Sequence, residues 1–333
     1  MIKGCKGKFL NRIKGEGLTF DDVLLVPQLS DVVSREQVDI STSLTKDIRL
    51  NIPILSASMD TVTESRMAIA MARGGGLGVI HRFMPMEAQM EEVVKVKRAE
   101  NVIIEDPITI SPRSTIAEAK HLMEKWDISG LLVVDEDRKL LGIVSRRDVV
   151  FEEDGDRKIV EVMTPKSRLV VADHKIGLEE AKEMFRKHKV EKIPIVDKED
   201  KLLGLITAKD VLSKTMNPKA VKDEKGRLRV GAAVGAKGDF LERAKALWNA
   251  GADVIFVDVA HGHNVLVLDA IRAIKKELKE APIVAGNIAT AQGVEDLARA
   301  GADAIKVGVG PGSVCTTRLV AGAGVPQLTA IME

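Results

Sequence analysis

The tetrapeptide Ala-Gly-Ala-Asp occurs twice, in AGADVIFVD at residues 250–258 and in AGADAIKV at residues 300–307. Each copy follows a helical pattern and leads into a short apolar run. This is typical of a helix that ends at a glycine and returns into a buried strand. Strands that are buried on both faces and alternate with helices predict a parallel α/β sheet, either closed as a barrel or open and doubly wound.

Six apolar runs outside residues 101–214 are predicted strands of this sheet, with helices between them. The strands are residues 52–56, 76–80, 229–234, 253–258, 282–286 and 302–307, and the helices are residues 64–73, 240–250, 265–279 and 291–300. Glycine and polar residues follow most of the strands, which favours a TIM (β/α)8 barrel. Because a barrel needs eight βα units and the chain stops in a helical pattern at Glu333, we expect an incomplete barrel, truncated at its C-terminus.

A repeat lies between the two parts of the predicted barrel. LLGIVSRRDV at residues 140–149 recurs as LLGLITAKDV at residues 202–211, an offset of 62 residues. The pattern predicts two copies of one β-α-β-β-α unit. The chain is thus divided into a first barrel part (1–100), a tandem insert (101–214) and a second barrel part (215–333).

Each copy of the repeat places a hydroxyl and a carboxylate at the start of a helix. The pairs are Ser145 with Asp148, and Thr207 with Asp210. Both pairs suit plain N-caps. Their duplication would also suit a regulatory nucleotide whose phosphate faces the helix N-terminus and whose ribose hydroxyls contact the aspartate.

Composition excludes several classes of protein. The 333 residues are 45% hydrophobic and 30% charged, with a net charge of +1, so no field that would attract nucleic acid is expected. The chain has no apolar run of eighteen residues, and its N-terminus lacks the apolar core of a signal peptide. We therefore expect a cytoplasmic protein with no membrane partner. Cys5 and Cys315 suggest no disulfide framework, which leaves Cys315 available for chemistry.

The second cysteine follows a run of alternating glycines in KVGVGPGSVCTTR, residues 306–318. Glycine lets backbone groups approach a phosphate or a cation closely, and Ser313 adds a hydroxyl. Cys315 is a candidate nucleophile because a free thiol, with a pKa of about 8.5, needs only modest stabilisation of its thiolate to react. The alternative is an inert cysteine in a glycine-rich turn. Its position after a predicted barrel strand favours the nucleophile.

Two other strand ends carry candidate binding groups. Asp258 ends an apolar strand, where its carboxylate can accept hydrogen bonds from a ribose diol or an amide. His261 and His263 are interpreted as polar loop residues, since no third metal ligand is evident. Asn287 either holds a substrate through its amide or caps the following helix.

Five segments together resemble the IMP dehydrogenase family. They are LTFDDVLL (18–25), SMDTVT (58–63), DVAHGH (258–263), AGN (285–287) and GVGPGSVCTT (308–317). The tandem insert resembles a cystathionine-β-synthase-type (CBS, or Bateman) domain pair. GMP reductase shares the barrel and a similar cysteine loop but usually lacks the insert, and is the alternative. A nucleotide-sensing module is a third interpretation.

The resemblance implies NAD and K⁺ as cofactors, IMP and NAD as partners, purine nucleotides at the CBS pair, and a homotetramer. It implies that Cys315 adds to C2 of IMP, that hydride passes to NAD, and that water releases XMP from a covalent thioimidate. The resemblance also implies roles for other residues. Thr317 would lie at the reactive centre, Ser313 and Asn287 would contact the substrate, and Asp258, Gly308, Val309 and Gly310 would contact NAD. The carbonyls of Gly310, Gly312 and Cys315 would bind K⁺, so Gly310 and Cys315 each have two implied roles.

The sequence departs from the family's pattern in two respects. Some relatives have a serine at the substrate-contacting position that aligns with Ala57. The mobile flap with its water-activating arginine, the later IMP-binding loops and further K⁺ ligands would all lie beyond Glu333. We therefore expect the chain as it stands to lack the hydrolytic half of the reaction.

Overall fold

A computed structural model describes residues 15–99, 104–173, 176–209, 211–212 and 217–333. The chain forms two compact units. One runs up to Val94 and resumes from Arg229 to Glu333, and the other is Lys95–Leu228. The second unit therefore interrupts the first along the sequence.

The first unit is built on a five-stranded parallel sheet. In spatial order its strands are Ala304–Val307, Ile283–Ile288, Val254–Asp258, Val230–Val234 and Gly78–Ile80. The helices that begin in this unit are Ser65–Gly74, Met86–Ala99, Phe240–Asn249, Val265–Glu277, Ala291–Ala300, Thr317–Ala321 and Gln327–Met332. Throughout the described ranges, no helix is long and apolar enough to cross a membrane. The predicted α/β class with a parallel sheet is confirmed, while closure into an eight-stranded barrel stays a prediction.

Five of the six predicted strands are confirmed, with ends shifted by one or two residues. The strand predicted at residues 52–56 is reduced, among the described residues, to a parallel bridge from Leu55 to Leu77. Pro53 has no N–H to donate to a ladder, which limits pairing here. The antiparallel hairpin of Thr42–Thr45 with Ile48–Leu50 was absent from the sequence prediction.

The repeated Ala-Gly-Ala-Asp has the same structural role in both places. The glycine of each copy takes a positive φ, 101° in the first and 112° in the second. The Asp253 carboxylate accepts the N–H of Val230 at 2.8 Å, and the Asp303 carboxylate accepts the N–H of Ile283 at 2.7 Å. Val230 and Ile283 each begin the neighbouring strand. Each aspartate thus ties the starts of two adjacent strands together.

Helix Ser65–Gly74 packs against the sheet at Gly78. A Cβ at this position would lie 2.3 Å from Cα and 2.5 Å from Cβ of Ala68, which is fully buried. We expect Gly78→Ala to lower the free energy of unfolding by about 1–3 kcal/mol, because the helix would have to move away. Urea unfolding measures this loss.

Gly74, the last residue of the helix that packs against Gly78, offers a matched control. A Cβ there would meet no atom within 4 Å. Gly74→Ala should be neutral or stabilise the fold by up to about 1 kcal/mol, as alanine in a helix usually does. Equal destabilisation by both substitutions would contradict the packing argument.

The second unit contains two copies of one short structural unit. The first copy has the predicted order of strand Thr109–Ile110, helix Ile116–Lys125, strands Gly130–Val134 and Leu140–Ser145, and helix Arg146–Val149. The second has helix Leu178–His188 with strands Lys192–Val196 and Leu202–Thr207, and its first strand is reduced to a bridge from Ala172 to Ile195. Helix Ile159–Val162 and strand Thr164–Pro165 lie between the copies.

The two copies pair symmetrically. The N–H of Leu140 donates to the Asp200 carbonyl at 3.0 Å, and the N–H of Leu202 donates to the Arg138 carbonyl at 2.9 Å. Leu202 and Asp200 lie 62 residues after Leu140 and Arg138, so the two hydrogen bonds are equivalent under the repeat. An approximate twofold axis therefore passes between them. The copies share one buried core, which consists of Leu132, Val134, Leu140, Val196, Leu202 and Leu205.

Candidate active site

The predicted site residues of the first unit lie at the carboxyl ends of adjacent parallel strands. Asp258 ends the strand Val254–Asp258, and Asn287 is the last residue but one of the strand Ile283–Ile288. Residues 308–317, the cysteine loop, follow the next strand in the sheet. Parallel neighbours place their carboxyl ends at one edge, where α/β proteins bind ligands.

Two side chains hold the Asp258 carboxylate. Lys306 Nζ lies 3.0 Å from Oδ1, and the hydroxyl of Ser58 donates to Oδ2. The carboxylate side chain is 17% exposed. Sequence reasoning assigned neither Ser58 nor Lys306 a role. A lysine within the apolar strand Ala304–Val307 was a signal that could have identified one of them.

Asn287 does not cap the helix that follows it. Thr290 has that role, because its hydroxyl accepts the N–H of Gly293 at 3.2 Å. The capping interpretation of Asn287 is therefore wrong. Its side-chain Oδ1 is buried without a hydrogen-bond partner among the described residues. A buried unpaired acceptor suits a ligand that donates a hydrogen bond.

Two glycines of the cysteine loop are required by the backbone. Gly308 and Gly310 take φ values of 135° and 83°, which other residues rarely adopt. A Cβ would lie 2.5 Å from Gln327 Oε1 at position 308 and 2.8 Å from Arg318 Cγ at position 310. Gly312 has no such conflict, and its carbonyl accepts the N–H of Cys315 at 3.0 Å.

Gln327 is a further residue that sequence reasoning missed. Its Nε2 donates to the carbonyl of Val307 at 3.0 Å, immediately before the cysteine loop. Its Oε1 is buried and has no partner within the described ranges. Gln327 therefore connects the helix Gln327–Met332 to the start of the loop. No local sequence pattern distinguished it from other polar residues at a helix start.

Cys315 lies in the loop next to a hydrogen-bonding threonine. Its Sγ is 3.3 Å from Oγ1 of Thr317, and the side chain is partly exposed. Hydrogen bonds from the Thr317 hydroxyl and backbone, with a smaller electrostatic contribution from Arg318, hold the pKa of Cys315 below its ordinary value. A lowered pKa increases the thiolate fraction near neutral pH, and the thiolate is the nucleophile.

The lowered pKa of Cys315 predicts the pH dependence of its alkylation. Because the thiolate reacts, the rate of modification by iodoacetamide should reach its half-maximum below the ordinary cysteine pKa of about 8.5. Thr317→Val should move the midpoint upward, since it removes the hydroxyl that stabilises the thiolate. Mass spectrometry of Cys315 measures the rate, in a Cys5→Ala background. A midpoint at or above the ordinary value would contradict this assignment.

The other predicted residues of the first unit lie near the same edge. Ser313 is on the exposed part of the cysteine loop. The carbonyl of Val309 accepts the N–H of Val325 at 3.1 Å. His263 Nε2 lies 2.9 Å from Oδ2 of Asp296. Across the described parts of the chain, no group of three or more His, Cys, Asp and Glu side chains could hold a metal ion.

The candidate nucleotide residues of the second unit are only partly described. Oδ2 of Asp148 accepts the N–H and the hydroxyl of Ser145, each at 2.7 Å, as a capping box at the start of helix Arg146–Val149. The N-cap role is therefore present in the first copy. Thr207 ends the strand Leu202–Thr207. Asp210 lies outside the described residues.

The chain is similar in sequence to a known protein family over nearly its whole length. Residues 17–333 match the model described as the IMP dehydrogenase / GMP reductase domain. The chain belongs to the IMP dehydrogenase / GMP reductase family. The family predicted from the five sequence segments is therefore confirmed.

Curated relatives of this family are similar along nearly the whole chain. Inosine-5'-monophosphate dehydrogenase of Aquifex aeolicus is 58% identical over 320 residues, which cover 96% of this chain and 65% of the relative. The enzyme of the same name from Nitrosopumilus maritimus is 55% identical, with 96% of this chain and 66% of the relative covered. The chain thus spans slightly less than two thirds of these relatives.

A solved structure of the same family has a closely similar fold. GMP reductase from Trypanosoma brucei, in complex with guanosine 5'-triphosphate, aligns with a TM-score of 0.87 at 46% identity. The alignment covers 96% of this chain and 77% of that chain. Both named activities of the IMP dehydrogenase / GMP reductase family are thus represented among the similar proteins.

Proposed function

We propose that this protein is an NAD-dependent IMP dehydrogenase, which oxidises IMP to XMP in guanine nucleotide biosynthesis. The observation that carries the proposal is Cys315, a partly exposed thiol of lowered pKa on a glycine loop at the carboxyl edge of a parallel sheet. The names of curated relatives at 55% and 58% identity support it.

We also propose a complete fold for each of the two units. The parallel sheet would form part of a TIM barrel, supported by five strands in unbroken spatial succession. The second unit would be a tandem CBS pair, supported by the twofold pairing of its copies. We further propose a homotetramer in the cytoplasm, which light scattering and cell fractionation would test.

In the proposed reaction the Cys315 thiolate forms a bond to C2 of the IMP purine, and the π electrons of the C2–N3 bond move to N3. The hydrogen at C2 then leaves with its electron pair as the C2–N3 double bond forms again, and bound NAD supplies the acceptor for this hydride. Water adds to C2 of the covalent thioimidate, the C–S bond breaks and XMP is released, which regenerates the thiol. Thr317 would stabilise the thiolate, Ser313 would donate to the phosphate of IMP, and Asn287 would accept a hydrogen bond through its unpaired Oδ1.

The residues at this edge fit NAD and a monovalent cation. Asp258 has a fixed carboxylate that can accept the hydroxyls of a ribose, and residues 308–310 present backbone without bulky side chains beside it. K⁺ would be held by the carbonyls of Gly310, Gly312 and Cys315. The Gly312 carbonyl already accepts the N–H of Cys315 at 3.0 Å, so it would offer its second lone pair to the cation. The cation would stabilise the loop conformation.

GMP reductase is the second candidate, favoured by the structural similarity to the Trypanosoma brucei enzyme. The two activities differ in substrate and in the direction of hydride transfer. We expect the full encoded polypeptide to form NADH, seen by its absorbance, with IMP, NAD and K⁺. Consumption of NADPH with GMP and release of ammonia, without NADH formation from IMP, would instead assign GMP reductase.

We also propose that the second unit binds regulatory purine nucleotides through Ser145, Asp148, Thr207 and Asp210. The repeated hydroxyl and carboxylate pairs support this role, although the Asp148 carboxylate also caps its own helix. Calorimetric titration of the intact chain with ATP, GTP and GDP tests it. Binding that Thr207→Ala weakens would support the site, and the absence of heat with all three nucleotides would leave the unit as a structural domain.

A further inference from the structure

Ser58 and Asp258 are 200 residues apart in sequence, yet the hydroxyl of Ser58 donates to Oδ2 of Asp258. Ser58 is only 9% exposed. The opposite carboxylate oxygen, Oδ1, receives Lys306 Nζ at 3.0 Å. Each oxygen of Asp258 therefore has its own donor within the protein.

The turn that carries Ser58 is itself fixed by hydrogen bonds. Thr63 is fully buried, and its hydroxyl lies 2.9 Å from Ser56 Oγ and also contacts the carbonyl of Ala57. The N–H of Thr63 donates to the Met59 carbonyl at 3.2 Å, and its own carbonyl accepts the N–H of His81 at 3.3 Å. The turn is thus anchored next to the strand Gly78–Ile80, so the position of the Ser58 hydroxyl is set by the sheet.

A carboxylate with one donor on each oxygen is fixed in orientation but not saturated. An ionised carboxylate has about four lone-pair sites, so Asp258 can accept roughly two more hydrogen bonds. Lys306 alone would leave the carboxylate free to rotate about the single contact. Ser58 removes that freedom, and groups held in their binding orientation lose less entropy when a ligand binds.

We propose that Ser58 is a positioning residue that orients the Asp258 carboxylate to receive the two hydroxyls of a ribose of NAD. This inference rests on the proposed function. Ser58 acts through Asp258 and transfers no proton to the substrate. Its hydroxyl determines affinity for the dinucleotide, while Cys315 determines the rate of the chemical step.

Ser58→Ala, with the intact chain titrated by NAD in ligand-observed NMR, tests the proposal. We expect affinity for NAD to fall about tenfold, which is the usual effect of losing a hydrogen bond to a charged group. Ser58→Thr retains the hydroxyl and should restore binding to near the original value. In steady-state assays of the full polypeptide, Ser58→Ala should raise KM for NAD with little change in kcat.

Two controls separate this role from a general loss of structure. Ser43→Ala removes an exposed hydroxyl of the hairpin strand Thr42–Thr45, outside the turn that carries Ser58, and should leave NAD affinity within about twofold. An NAD analogue without ribose hydroxyls should bind Ser58→Ala and the unchanged protein equally. Equal weakening by Ser43→Ala and Ser58→Ala, or unchanged NAD affinity in Ser58→Ala, would overturn the proposal. Absence of NAD binding to the unchanged protein would instead overturn the proposed function itself.

Discussion

Cys315→Ala is expected to lower NADH formation from IMP by at least about a thousandfold, because the side chain that forms the covalent bond is lost. Among the described residues, Cys315 is a cysteine that forms no disulfide. It lies at the edge of the sheet where Asp258 and Asn287 stand at the carboxyl ends of their strands. The rate of NADH formation by the full encoded polypeptide, followed by absorbance, measures the effect.

Two further variants serve as controls for the loss of activity in Cys315→Ala. Cys5→Ala removes the other cysteine of the chain and should keep the original rate. Thr317→Val should give an intermediate loss, since the thiol remains but its thiolate is less stabilised. Turnover by Cys315→Ala at a rate close to that of Cys5→Ala would exclude the covalent mechanism.

Asp223→Ala is expected to destabilise the second unit by about 3–5 kcal/mol, the usual effect of removing one member of a buried ion pair. The Lys97 side chain is 5% exposed, and its Nζ lies 3.0 Å from Asp223 Oδ2 and 3.1 Å from the Leu228 carbonyl. Arg227 Nε also contacts Oδ2 of Asp223 at 2.9 Å. Urea unfolding followed by the fluorescence of Trp126, which is in this unit, measures the loss.

The stability that the Lys97–Asp223 ion pair contributes should depend on pH, and a double substitution should compensate for its loss. Burial raises the pKa of Asp223, but the charges and hydrogen bonds of Lys97 and Arg227 together outweigh burial, so the pKa lies below its ordinary value. The resulting stability is present above the unfolded pKa of about 3.9 and is lost as pH falls through the lower folded pKa. Lys97→Met combined with Asp223→Leu should recover much of the stability. A stability unchanged by Asp223→Ala would contradict the argument.

Local sequence patterns predicted the sheet because its strands are short apolar runs between helices. The exception, residues 52–56, is apolar but contains Pro53, and within the described ranges it is reduced to the bridge from Leu55 to Leu77. The hairpin Thr42–Thr45 with Ile48–Leu50 was missed because its strands have only four and three residues, so the alternation of Ile48, Arg49 and Leu50 is too short to predict a strand. Local periodicity therefore identified the continuous apolar strands better than the short alternating one.

Residues of the site were predictable when they lie at the carboxyl end of an apolar strand or in the loop after it. Asp258, Asn287 and Cys315 satisfy that condition. The roles of Ser58 and Gln327 depend instead on partners that only the fold brings close, such as the carboxylate 200 residues after Ser58. Pattern reasoning thus finds the groups that face a ligand more readily than the groups that hold them in place.

The symmetric pairing of the two copies in the second unit makes it equivalent to a tethered dimer. A copy separated from its partner would expose its share of the common core, which includes Val134 and Leu140 in one copy and Val196 and Leu202 in the other. Joining both copies in one polypeptide holds them at an effective concentration on the order of millimolar, so their pairing does not depend on the amount of protein. A single copy expressed alone would be expected to form a homodimer with true twofold symmetry through the same strands.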